Sequence, residues 1–443
     1  MMDCLSAGGC RRAAPSMPPA PSPKNGASRP RTPWALLAVL LAATTTSYVD
    51  RIAISVLAPT LRDEFGMSNS EYALAVNCFM VTYMLMYSVG GRLADLLGFR
   101  KALSIYIVWW SITGALHAAA TGFRSLALYR FLLAVGEGGV WPAGMKTVAH
   151  EVLGPLRSLG VGIVNFGSSL GSALTVPLVG WLTVVWGWRV AFLVTGLMGF
   201  GLLPFWLAVT RKSIRPTALT ASAGVRQVSW LRVIRYRQAW AGFLARFVSA
   251  GAWGFYAFWI PEYLARERGL DIAAIGLVAW LPFVASGLGD LSGSGITAWL
   301  IARGWSVNRA RKTVLCVAAG AAAAGIGAAY APNVSLAIVS ICVGALGVKL
   351  ASVNFLSLPS DVFPATYVGT ALGVSGPGGS AGIVLTNAAI GYVLDATGSY
   401  SIVLTGVALL TPAAVAVTFL VAGRIEPIRE LVELEGLRDK IKV

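Results

Sequence analysis

Asp50 and Arg51 are neighbours of opposite charge inside the first long apolar run of the chain, and Arg130 and Glu137 share the fourth. A charge at the centre of a membrane-spanning helix costs roughly 2.5 to 3.5 kcal/mol on insertion scales, so it survives where it pairs, lines a cavity or handles a substrate. Four such residues in one half of a chain point to a polar, water-accessible site. A guanidinium matches a planar carboxylate and stays charged at any accessible pH, which suits Arg51 to anion binding. Low dielectric and a nearby guanidinium act on a carboxyl group in opposite directions, so a cavity that opens and closes around Asp50 or Glu137 can switch its protonation. The competing account is a static Arg130–Glu137 bridge that only orients its helix. Such a bridge is readily replaced by apolar packing, which favours the active role.

The elements that position these residues are membrane helices. With 56% hydrophobic and 12% charged residues and a mean hydropathy of +0.71, the composition excludes an ordinary soluble protein. A span needs about 20 apolar residues, and the 443 residues contain twelve such runs. They lie near 34–58, 70–90, 102–120, 124–149, 158–185, 189–210, 240–264, 272–302, 312–330, 334–356, 366–394 and 400–422. The first and fourth spans run in opposite directions. At 1.5 Å per residue, Asp50 lies roughly 12 Å and Arg130 roughly 9 Å from the same membrane face, with Glu137 about 10 Å deeper. Asp50 and Arg130 are therefore expected at similar depth, and Arg130 is expected to hold or release Glu137. Neither histidine fits a proton relay, because His150 sits at a helix terminus and His117 near an outer loop.

The net charge of +16 raises the question of nucleic acid. Sorting the 35 Lys and Arg by loop answers it: twenty-five fall on the side of both termini, five on the other side and five within spans. That bias sets an orientation with both ends cytoplasmic, and the basic surface serves topology and anionic lipid rather than nucleic acid. Residues 1–32 read as a disordered basic tail, 33–210 as a six-helix bundle, 211–238 as a cytoplasmic linker, 239–423 as a second six-helix bundle and 424–443 as a cytoplasmic tail. The five cysteines, at 4, 10, 78, 316 and 342, show neither metal-ligand spacing nor a disulfide framework, so no metal and no cofactor is expected. Gly167-Ser-Ser169-Leu-Gly171 formally matches the nucleophile elbow of hydrolases. It sits inside an apolar helix in a chain with two His, so an enzyme is not expected.

The halves echo each other. Gly91-Arg-Leu-Ala-Asp95-Leu-Leu-Gly98-Phe-Arg100-Lys101 follows the second span, and Gly295-Ile-Thr-Ala-Trp299 with Gly304 through Lys312 follows the eighth. The fifth span carries Gly162, Gly167 and Gly171 and the eleventh carries Gly373, Gly376, Gly378, Gly379 and Gly382. Glycine at such spacing suits a sliding seam between two bundles.

The loop after the second span resembles the signature of the major facilitator superfamily, with Leu96 where that family usually has a basic residue and no Asp in the second copy. Tyr48-Val-Asp50-Arg51, Arg130 through Lys146, Leu358-Pro-Ser-Asp361-Val-Phe-Pro364 and Gly391-Tyr-Val-Leu-Asp395 through Tyr400 resemble the anion:cation symporter family. Within it they are similar to the bacterial hexuronate (sugar-acid) transporters.

The resemblance implies an all-α membrane protein of twelve transmembrane helices in two pseudo-symmetric six-helix bundles. It implies proton-coupled uptake of an organic anion such as glucuronate, galacturonate or galactonate by alternating access, in the bacterial inner membrane, by a monomer that needs no cofactor beyond the proton gradient. Arg51, Tyr48, Tyr83, Ser375 and Asn387 would bind substrate, Asp50, Glu137 and Arg130 would couple protons, and Asp95 and Arg100 would gate. Ser380 and Gly376 stand where the family commonly has Asn on the eleventh span. Another carboxylate, sodium coupling and a transporter-like sensor remain as alternatives. Asp290, Arg246 and Lys349 are the second-half ionisables, with Asp290 the strongest candidate to face a cavity, and Asp361 and Asp395 read as loop residues.

Overall fold

The computed structural model describes residues 34–152, 154–211, 229–428 and 430–431. The expected N-terminal tail, residues 212–228 of the linker and residues 432–443 lie outside the described residues.

Apolar runs of this length fold as helices because a helix satisfies every backbone donor and acceptor within one segment, the condition for crossing hydrocarbon. In the first half these are α1 (Trp34–Val56), α2 (Ala58–Phe65), α3 (Asn69–Leu97), α4 (Phe99–Leu116), α5 (Phe123–Glu137), α6 (Val140–Glu151), α7 (Gly154–Trp186) and α8 (Trp188–Thr210). A short α9 (Trp230–Val233) leads into α10 (Arg237–Phe258), α11 (Ile260–Arg266), α12 (Ile272–Val278), α13 (Leu281–Ala302) and α14 (Val307–Ala323). After α15 (Gly327–Tyr330) come α16 (Val334–Val362), α17 (Ala365–Thr397) and α18 (Tyr400–Ala422).

Read as continuous or broken rods, these make twelve long passages. Among the described residues nine are long and apolar enough to cross a membrane alone, and α10 with α11, bent by 54°, makes a tenth. The remaining two are α3 and the broken α5–α6, the passage that carries Arg130 and Glu137.

Local chemistry sets the boundaries. Ser68 and Glu71 form a reciprocal capping box at the start of α3, and Asp271, Ser306, Asn333 and Ser399 accept from backbone N–H groups at other helix starts. Gly98 and Gly187, at φ 78° and 85°, make the tight reversals between consecutive helices that a residue with a Cβ would strain.

The two halves are built alike. In the first, α7 packs on α1; in the second, α17 packs on α10. A Cβ on Gly171 would stand 2.3 Å from the Thr45 carbonyl oxygen, and one on Gly382 would stand 1.9 Å from that of Phe247. The glycine stripes thus serve chiefly to bring helices together within each half, rather than to form the seam between halves expected from spacing alone. Across the halves, Gly180 faces Gly276 and Gly391 faces Ser70.

Candidate functional site

Three helices build one buried cluster. α1 presents Tyr48 and Arg51 a turn apart, α3 presents Phe79 and Tyr83 a turn apart, and α5 presents Arg130 and Glu137 two turns apart. Arg51 Nη2 and Nε donate to one carboxylate oxygen of Glu137, at 2.9 and 3.2 Å. Its guanidinium lies 4.4 Å from the centre of the Tyr48 ring, 4.3 Å from that of Tyr83 and 5.1 Å from that of Phe79. The rings offer the cation their electron-rich faces while excluding water, an attraction that strengthens as the cation is desolvated.

Arg130 and Glu137 are each only 1% exposed, Asp50 3% and Arg51 7%. Burial at this level normally demands complete pairing, yet several atoms have no partner among the described residues: Glu137 Oε1, Asp50 Oδ2, and Nε and Nη2 of Arg130. The four groups balance in charge and leave hydrogen-bonding capacity unused, which suits a cluster whose partners exchange.

The partners differ from those inferred by depth. Glu137 is paired with Arg51, whereas Arg130 donates from Nη1 to the Arg51 backbone carbonyl at 3.3 Å. The separation along α5 explains this: seven residues of rise place Arg130 about 10 Å from Glu137, a gap that Arg51 closes from a neighbouring helix. Asp50 points the other way, toward Gly114 of α4 and Thr195 of α8.

Ser375 is buried, turns toward Gly242 of α10 and donates to the Leu372 carbonyl. Gly376, Gly379 and Ser380, one helical face around, line a cavity of about 200 Å³ instead. Asn387 accepts from Trp259 Nε1 at 3.2 Å and donates to Asn77 Oδ1 at 3.4 Å, so it joins the two halves. Arg100 reaches the Leu207 carbonyl within its own half at 3.4 Å, and the Asp95 side chain lies outside the described residues. Asp290 pairs with Lys349 at 3.5 Å, and Lys349 and Arg246 both line the 200 Å³ cavity. Among the described residues no group of His, Cys, Asp and Glu is arranged to hold a metal.

Sequence reasoning missed a second charged cluster. Glu262 of α11, 0% exposed, accepts from Arg62 of α2 and from Arg266 Nε at 3.1 Å, while Arg266 also pairs with Asp63 of α2. Nearby, Asp395 lies in the last turns of α17 rather than in a loop. Its carboxylate receives the N–H groups of Asn69 and Ser70, each at 2.9 Å, and so closes the start of α3 from the other half. Tyr72 donates to the Phe258 carbonyl at 2.6 Å, and Asn77 to that of Val384 at 2.9 Å. Apart from the Glu262–Arg266 pair within α11, these bonds cross between the halves at one end, the end of α2 and α11. Asp361, likewise in a helix rather than a loop, is held by Arg311, which also reaches Asn354.

Two bundles of like construction thus close on each other at one end and bury a charge cluster, and the sequence of residues 40–387 matches the family model of the Major Facilitator Superfamily. The chain belongs to the Major Facilitator Superfamily. Among its relatives, a hexuronate transporter of Escherichia coli K12 is 28% identical over 383 residues, covering 82% of this chain and 88% of that protein. A probable sulfoacetate transporter of Cupriavidus necator is 29% identical over 391 residues, covering 84% and 90%. The fold is also that of a bacterial homolog of the human lysosomal transporter Spinster in an inward-facing, occupied conformation: TM-score 0.74, 16% identity, 88% of this chain and 96% of that one. The inward-open xylose transporter of E. coli superposes with TM-score 0.65 at 16% identity, covering 91% and 99%. As a Major Facilitator Superfamily member the protein is an integral membrane transporter, and its relatives include several carriers of sugar acids.

Proposed function

We propose that this protein is a proton-coupled symporter that takes up a hexuronate or aldonate by alternating access, with Arg51 as the anion site and Glu137 as the proton carrier. The observation that carries the reading is the buried Arg51–Glu137 pair framed by Tyr48 and Tyr83. Glu137 competes for Arg51 only while ionised. A proton on Glu137 frees the guanidinium, which then requires another anion, and a substrate carboxylate supplies it with the geometry a guanidinium favours. Proton and anion therefore favour each other's binding, which is the linkage a symporter needs.

Asp50 is the second proposed proton carrier, with Arg130 holding the backbone of α1 beside it. Tyr48 and Tyr83 offer hydroxyls to the sugar chain, and Asn387 and Ser375 act through the packing of α17. Asp95 and Arg100 are proposed as the latch of the end opposite α2 and α11. With the termini cytoplasmic, the crossing bonds at the α2–α11 end correspond to an outer gate that is shut. The protein is proposed to work as a monomer in the bacterial inner membrane, driven by the proton gradient without a cofactor. The similarity to a probable sulfoacetate transporter supports a second reading, in which the cargo is another small organic acid.

The test is uptake of radiolabelled glucuronate and galactonate into proteoliposomes whose interior is alkaline. Gradient-driven accumulation that disappears in Arg51→Ala supports the assignment. Absence of uptake of both anions by folded wild-type protein overturns it.

A further inference from the structure

A second cation lines a cavity walled by α10, α16 and α17 of the second half. Arg246, on α10 of the second half, lines the 200 Å³ cavity together with Ser249, Trp253, Lys349 and Ser380. Lys349 is already engaged: its ammonium pairs with Asp290 at 3.5 Å and lies 4.0 Å from the centre of the Trp253 ring. Arg246 has no hydrogen-bond or ion-pair partner among the described residues. Its guanidinium rests over Gly379, whose missing Cβ would stand 3.6 Å from Nη2. Beside it, Ser249 Oγ is buried without a partner among the described residues.

Tyr87 ties this cavity to the Arg51 cluster. Its ring is 6.3 Å from that of Tyr83, which covers Arg51, and its hydroxyl lies within electrostatic reach of Arg246. One tyrosine of this pair thus meets Arg51 of the first half, and the other interacts electrostatically with Arg246 of the second.

Charge balance says what such a site accepts. Lys349 is matched by Asp290, and Arg51 by Glu137 until that carboxyl takes up a proton. A substrate that spans from the Arg51 cluster to this cavity would then meet two cations, Arg51 and Arg246. A monoanion neutralises one and leaves the other unpaired inside the bilayer, which is costly, whereas a dianion neutralises both.

We propose that Arg246, with the Ser249 hydroxyl, binds a second anionic group, so that the preferred cargo is a short polyhydroxy acid with an anionic group at each end. This inference rests on the sugar-acid reading and narrows it from acids in general to diacids.

The experiment measures inhibition of labelled D-glucuronate uptake by unlabelled D-glucarate and D-gluconate, six-carbon chains that differ in whether the far end is ionised. Purified full-length protein in proteoliposomes at pH 7 is used. The expected result is that glucarate inhibits at a concentration at least about tenfold lower than gluconate, equivalent to about 1.4 kcal/mol. Arg246→Gln is expected to erase this gap by weakening glucarate, with gluconate unchanged within about twofold. Equal potency of the two acids on the wild type, or a gap that survives Arg246→Gln, overturns the inference while leaving the sugar-acid reading intact. Should Arg246→Gln not fold, Arg246→Lys keeps the charge and loses the fork. It must then narrow the gap through glucarate alone, and an unchanged gap overturns the inference. No glucuronate uptake by folded wild type sinks both readings.

Discussion

Glu262→Gln isolates the contribution of the charged cluster that joins α2 to α11. The Glu262 side chain is 0% exposed, and it holds Arg62, 12% exposed, from the opposite half as well as Arg266, 42% exposed, from its own. A fully buried pair that loses one partner costs about 3 to 5 kcal/mol, and an exposed pair about 0 to 1. Glutamine keeps the shape and one acceptor, so the loss is that of a charged hydrogen bond, about 1.5 to 3 kcal/mol. The Arg62 contact exists only while the halves meet at this end, so its loss falls on the closed state and shifts the closed-to-open ratio roughly ten- to hundredfold. Spin labels at Thr121 and Pro332, on loops of opposite halves, report it by pulsed electron–electron resonance in a background without native cysteines. The wild type is expected to show one short distance, and Glu262→Gln an added longer one. A distance distribution unchanged by the substitution refutes the idea that this cluster holds the end shut.

Arg51→Lys keeps a positive charge but loses the flat guanidinium stacked near Tyr48 and Tyr83; substrate affinity is expected to fall by about tenfold or more in an equilibrium binding assay. Gly196→Leu would force a side chain where even a Cβ stands 2.2 Å from the Ala115 backbone nitrogen. Separation of α8 from α4 is expected to cost about 1 to 3 kcal/mol, read as a lower unfolding temperature in detergent. Asp395→Ala removes the carboxylate that closes the start of α3, a loss of about 0.5 to 2 kcal/mol on the N-cap scale. Because that carboxylate comes from the other half, the loss is expected to appear as faster labelling of a cysteine at Met67, in the cavity beside Arg62, rather than as global unfolding.

The spans were legible because twenty apolar residues in a row have few other fates, and Arg51 and Glu137 were legible because ionised groups inside those runs stand out against their cost. The partner of Glu137 was not. Position along one helix is readable from rise per residue, but which neighbouring helix turns a charge toward it depends on tertiary packing. Ser375 and Ser380 illustrate the same limit: both lie on a glycine-rich stretch of α17, and without bulky neighbours nothing in the local pattern says which face meets α10 and which meets the cavity. Glu262 sits in a stretch of alternating charges, Glu262 through Arg268, that reads as a solvated helix end. Its burial comes from α2, two hundred residues earlier in the chain. Asp395 closes a helix start more than three hundred residues away, a pairing that no local motif carries.

In the proposed mechanism Glu137 trades Arg51 for a proton when substrate binds, and the decisive experiment compares two modes of glucuronate movement in proteoliposomes containing Glu137→Gln. A neutral side chain that cannot take up a proton should retain exchange of labelled for unlabelled substrate at equal pH, while losing accumulation driven by an imposed pH gradient. Accumulation at wild-type levels in Glu137→Gln, with the gradient intact, would mean that Glu137 is not the proton carrier.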